Sequence, residues 1–107
     1  MAKPRRFALR FAPQAVEHLD LIEPKYHGLL RHLIREQLTH TPTQQTRNRK
    51  PLTQPAPFAA SWELRCGPGN RFRVFYDVEP AVQEVQILAV GVKDRNRLLI
   101  GKKEYEP

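Results

Sequence analysis

The run R-C-G-P-G-N-R-F-R-V-F-Y-D-V over residues 65–78 constrains this chain more than any other, because it reads as a strand, a Gly/Pro turn and a second strand. In the second strand the two-residue period places Phe72, Val74, Tyr76 and Val78 on one face, and Arg71, Arg73, Phe75 and Asp77 on the other. A face that alternates apolar with permanently charged residues predicts a sheet packed on one side, with guanidinium groups fixed on the other.

The remaining elements follow from periodicity. Phe7, Leu9 and Phe11 alternate with Ala8 and Arg10, giving a strand over residues 6–11. Pro13 then opens a helix to about residue 22, at the position where its missing N–H is least harmful, with Val16, Leu19 and Ile22 as its apolar face. Pro24 interrupts the chain, and Tyr26, Leu29, Leu30, Leu33, Ile34 and Leu38 recur at helical spacing in a second helix. Residues 62–66, 71–78 and 85–92 read as strands, the last apolar on both faces as a central strand should be. Leu98, Leu99 and Ile100 form an apolar core within an otherwise charged tail over residues 93–107. The expected class is α+β: a strand, two helices, then a three-stranded antiparallel meander, with the helices on one face of a small twisted sheet and the other face open. One domain spanning residues 1–107 is expected, burying roughly two thirds of the surface exposed by the unfolded chain.

Residues 40–61 hold Pro42, Pro51, Pro55 and Pro57 among Thr and Gln, so no single regular element spans them; loops of this length are usually functional or partly disordered. The charge balance of +7 concentrates there, since no carboxylate occurs between Glu36 and Glu63 whereas Arg47, Arg49 and Lys50 do. Such a field favours a polyanion or an acidic protein as partner. Cys66 stands alone, which excludes an intrachain disulfide framework and a Cys-based zinc site. Lys3, Arg5 and Arg6 are followed by no apolar stretch suited to a signal peptide or membrane span, so a cytoplasmic protein with no membrane partner is expected.

For chemistry, Arg65 and Arg73 come first. A planar guanidinium gives phosphate two parallel charge-assisted hydrogen bonds, and fixed guanidinium groups stabilise a phosphorane without reorganising. The bland alternative for Arg73 is an exposed strand arginine paired with Asp77 or Glu63. Lys93, Arg95 and Arg97 follow the last strand and read either as a clamp on nucleic acid or as a solvated run. Arg47, Arg49, Lys50 and Arg71 complete the candidate nucleic-acid contacts. His18, His27, His32 and His40 have no second ligand at metal spacing and are assigned to surface or packing roles; Ser61 and Cys66 have no base partner, and no Gly-rich phosphate loop appears. No metal and no cofactor is expected.

Together, T-R-N-R-K-P-L at 46–52, W-E-L-R at 62–65, R-F-R-V-F-Y-D-V at 71–78, I-L-A-V-G-V-K-D-R-N-R-L at 87–98 and the tail G-K-K-E-Y-E resemble the RelE/ParE superfamily of type II toxin–antitoxin toxins. The resemblance covers nearly the whole chain. It implies two N-terminal helices on a small twisted antiparallel sheet, and a cognate acidic antitoxin encoded nearby. For the RelE branch it implies metal-independent, ribosome-dependent mRNA cleavage, with Arg65 at a basic strand site, Arg73 at the phosphate-stabilising arginine and Lys93 near the second arginine after the last strand. Two positions depart from that branch: Glu63 stands where it can have a lysine, and Leu98-Leu99-Ile100 occupy the region of its C-terminal tyrosine, leaving Tyr105 displaced. The ParE branch, whose members poison DNA gyrase without enzymatic chemistry, is the alternative, and a weakly toxic member that only binds its antitoxin is another.

Overall fold

The computed structural model describes residues 6–105; Lys3 and Arg5 lie outside them. The chain runs β1 (Ala8–Phe11), α1 (Pro13–Asp20), α2 (His27–Leu38), β2 (Arg49–Pro51), β3 (Trp62–Cys66), β4 (Phe72–Glu79), β5 (Glu84–Asp94), β6 (Arg97–Ile100) and β7 (Lys103–Glu104). One sheet has the order β2-β3-β4-β5-β6-β7, antiparallel throughout, and β1 joins it by pairing with β5 in parallel.

Strand β5 is central because both of its edges are used. One edge takes β4; the other takes β1 along Glu84 to Ile87 and β6 along Gly91 to Asp94. Between the two neighbours the N–H of Val90 has no strand partner and donates instead to Nδ1 of His18, 3.2 Å away. His18 therefore carries its ring proton on Nε2 if it is to accept at Nδ1. Burial lowers its pKa and the nearby Glu17 carboxylate opposes that shift. Both effects matter because a buried N–H left without an acceptor costs about 1–3 kcal/mol.

The helices cover one face, as the sequence predicts. Leu30, Ile34 and Leu38 point inward from α2 at spacings of four, and Leu64, Val74, Tyr76, Val85, Ile87 and Val90 meet them from the sheet. Full burial of each such side chain contributes about 1.5–3 kcal/mol. Helix α1 buries Ala15, His18 and Leu19, and Val16, expected on its apolar face, is 45% exposed. The inward stripe at 15, 18, 19 and 22 is the tighter fit to a 3.6-residue turn, and it takes in a histidine that hydropathy alone places outside.

The second face is not fully open. Phe75, Ala60, Ala89 and Ile100 are buried there as a separate cluster, with Leu52, Leu88, Leu98 and Tyr105 packed around it. A bulge between β4 and β5 skips Leu88, since Phe75 faces Ala89 while Tyr76 faces Ile87. Two further differences from the sequence reading have clear causes. Strand β2 is three residues long within a proline-rich segment that shows no period, and backbone bonds from the Arg65 N–H to the Asn48 carbonyl and from the Leu52 N–H to the Ser61 carbonyl, both 2.8 Å, flank its pairing with β3. Strands β6 and β7 form through two tight turns with positive φ at Arg95 (58°), Gly101 (61°) and Lys102 (65°), on a tail whose charges hide a four-residue strand.

The segment after α2 is ordered by side chains. Arg49, 6% exposed, donates from Nη1 to the carbonyl of Gln37 at 2.8 Å and to Thr41, whose hydroxyl lies at 3.1 Å. The hydroxyl of the buried Tyr76 donates to the carbonyl of Pro42 at 2.7 Å. Carbonyls freed at the end of α2 thus find donors from β2 and β4.

Candidate nucleic-acid interface

The turn between β3 and β4 brings the arginines together. Gly67 has φ +81°, and a Cβ there would lie 2.4 Å from a ring carbon of Phe72, so this corner accepts only glycine. The turn sets a register in which Arg65 faces Arg73 and Glu63 faces Phe75 directly across the strands, while Lys50 of β2 faces Glu63. All five belong to the face away from the helices.

Glu63 lies at the centre. Its side chain is 8% exposed, and Oε1 accepts a hydrogen bond from Nε of Arg65 at 3.0 Å, with Nζ of Lys50 at 3.8 Å. Its Oε2 lies 3.9 Å from Nη1 of Arg73, an ion pair too long to be a hydrogen bond. Arg73, with a side chain 13% exposed, donates from Nε to the carbonyl of Asn70 at 3.1 Å. Its pKa is lowered first by burial and next by the Arg65 charge, and Glu63 acts in the opposite direction. Asp77, the other structural partner open to Arg73, is engaged elsewhere, accepting from the N–H of Ser61 at 2.7 Å.

The other candidates separate. Lys93 is half-buried and shares the arginine face by alternation from Gly91, the partner of Arg73, so it stands one strand over and roughly 7 Å further along. Arg71 turns to the helix side, its guanidinium carbon 5.6 Å from the ring centres of Tyr26 and of Phe72. The cause is local: Arg71 has helical φ/ψ at the exit of the turn, so strand alternation does not yet apply. Arg49 faces inward, as described above. Arg47 is exposed in the segment before β2, Arg95 sits in the β5–β6 turn, and Arg97 pairs with Asp94 at 3.6 Å. Tyr105 is carried back by the β6–β7 hairpin, its N–H donating to the carbonyl of Leu98 at 2.8 Å, and it packs on the same face as the arginines.

Glu63 as the hub was not singled out from the sequence. The signal was the Glu63-x-Arg65 spacing, which puts both side chains on one face of a strand. Among the described residues no cluster of three or more His, Cys, Asp or Glu is placed to hold a metal ion. No helix there is long and apolar enough to cross a membrane.

A crystal structure of the RelBE2 toxin–antitoxin complex from Mycobacterium tuberculosis contains a chain that superposes on this one with a TM-score of 0.69. The match spans 87% of this chain and 98% of that one, at 22% sequence identity. This chain has a RelE-like fold. No protein-family model matches the sequence. No curated protein matches it either. What carries over is therefore the architecture alone: two helices packed against an open sheet.

Proposed function

We propose that this chain is the toxin of a type II toxin–antitoxin pair and blocks translation by cleaving mRNA on the ribosome. The observation that carries this reading is the cross-strand pair Arg65 and Arg73, held side by side around one carboxylate on the face opposite the helices. In attack by a ribose 2′-hydroxyl on its neighbouring phosphate, negative charge grows on the phosphorane oxygens. Two guanidinium groups already fixed on strands stabilise that charge with little further ordering. Lys93 adds a cation on the same face, and Arg47, Lys50, Arg95 and Arg97 extend the field along the RNA backbone. Glu63, Asp77 and Tyr105 are described residues on this face whose oxygen atoms can accept or donate a proton, and Asp77 already accepts from the Ser61 N–H. The ribosome supplies the alignment of the scissile bond, a proximity effect.

The antitoxin partner is proposed on chemical grounds as an acidic segment that folds on binding. A groove of about 810 Å³ between β1 and the helices offers it Leu9, Phe11, Val16 and Leu19 as an apolar floor, with Arg6, Arg31 and Arg35 at the rim beside Asp20 and Glu36. Together with the arginine face this gives one molecule two surfaces for a wrapping partner.

A second reading, inhibition of DNA gyrase through protein contacts, is favoured by one observation: the guanidinium groups are already engaged by Glu63. A translating extract and a supercoiling assay, each given the purified protein, separate the two. Loss of intact mRNA with normal supercoiling supports the ribonuclease reading; intact mRNA with inhibited supercoiling overturns it.

A further inference from the structure

We propose that Glu63 is a built-in counter-ion for the Arg65–Arg73 pair, which a phosphodiester of bound RNA displaces, so that this carboxylate limits how tightly the face holds its ligand. The inference rests on the phosphate role given to the arginines above.

The geometry points to it in three ways. First, Glu63 is a nearly buried carboxylate in the middle of β3, directly opposite the apolar Phe75, a place where a charge is unfavourable unless it is paired. What pairs it among the described residues is the two arginines and Lys50, and of these three contacts that with Nε of Arg65, at 3.0 Å, is the one of hydrogen-bond length. Second, Arg65 and Arg73 face each other across the strands, burial and then the Arg65 charge disfavour the charged form of Arg73, and Glu63 opposes that. Third, the fit is looser than the cations can support. Arg65 is engaged side-on through Nε, and Arg73 stands 3.9 Å off, so neither makes the two parallel hydrogen bonds that a guanidinium offers a tetrahedral oxyanion. Three cations against one carboxylate leave a surplus, into which a singly charged phosphodiester fits.

Displacement has a defined course. A phosphate oxygen takes the donors of Arg65, the carboxylate keeps Lys50, and two anions then share the cations at a separation where like charges in a partly buried site oppose each other. Neutralising Glu63 while keeping its shape removes that opposition.

The test is binding of a short single-stranded RNA whose ribose 2′ positions are O-methylated, so that it cannot be cut, followed by fluorescence anisotropy across a salt series. With Glu63→Gln, affinity rises by about tenfold over wild type. Arg73→Ala weakens binding in the wild-type background. Equal or weaker binding by Glu63→Gln, in a wild type whose binding needs Arg73, overturns the counter-ion and leaves the phosphate reading standing. Binding that ignores Arg73→Ala contradicts the phosphate reading itself. Should Glu63→Gln fail to fold, the NMR signal of the Arg65 Nε–H in the wild type decides: it shifts on RNA addition as its carboxylate bond is exchanged, and an unmoved signal overturns the proposal.

Discussion

Arg49 and Arg73 sit two strands apart in one sheet and are held in opposite ways. Arg49 spends its guanidinium on backbone carbonyls and threonine oxygens, tying the end of α2 to β2. Arg73 gives one hydrogen bond to the carbonyl of Asn70 and otherwise faces a carboxylate at 3.9 Å across from a second arginine. The lesson is that the same residue type, in the same basic stretch of fold, serves structure where its donors meet fixed neutral acceptors. Where its donors meet a carboxylate at ion-pair distance, the guanidinium is left free for the ligand role proposed above.

That contrast is sharpest in stability. Arg49→Ala leaves carbonyls at the α2 terminus without donors, and a loss of about 3 kcal/mol is expected in urea unfolding. Arg49→Lys restores the charge but not the fork and recovers less than half. Arg65→Ala takes the hydrogen bond from the nearly buried Glu63 but leaves Lys50 and Arg73 beside it, and is expected to cost about 1–2 kcal/mol by the same measurement. Equal losses at Arg49 and Arg65 would break the distinction between the two sites.

Next comes the corner that creates the arginine pair. Gly67→Ala combines a positive φ with a clash against Phe72, and a loss of about 2 kcal/mol follows, along with any activity that depends on the Arg65–Arg73 register. Unchanged stability would mean the corner is not the constraint described.

Smaller still is Tyr76→Phe, which leaves the Pro42 carbonyl without its donor and lowers stability by about 1 kcal/mol in thermal unfolding, on the Arg49 side of the comparison only. RNA binding is expected to be unchanged.

The smallest effect concerns His18. Burial holds its pKa below the ordinary value of 6.5, so the folded state takes up a proton less readily than the unfolded chain. Its contribution is therefore complete above about pH 6.5 and declines as pH falls through that value, when protonation removes the acceptor for the Val90 N–H. Urea midpoints at pH 7.5 and 5.5 should differ more for wild type than for His18→Asn.

Much of this was legible in the sequence, for identifiable reasons. Strands β3, β4 and β5 and helix α2 announce themselves because one apolar face against a polar one leaves a period in the chain. Arg65 and Arg73 could be paired because a four-residue Gly/Pro turn fixes the register. The parallel pairing of β1 with β5 was hidden, since nothing local distinguishes it, and so was the role of His18, which depends on a gap between two neighbours of β5. Arg49 and Lys50 look alike as neighbours in a basic run; only the position of distant carbonyls separates them. Tyr105, displaced along the chain, returns to the arginine face through the β6–β7 hairpin, whose two-residue turn of Gly101 and Lys102 follows so short a strand in a charged tail that the glycine alone does not announce it.

The most direct measurement is primer extension on a reporter mRNA in a reconstituted translation reaction, with and without ribosomes, comparing the wild type with Arg73→Ala after circular dichroism has established that both are folded. Cuts that require the ribosome and fall by on the order of a hundredfold in the variant are expected. Intact mRNA with folded wild-type protein, or cuts indifferent to Arg73, would contradict the account.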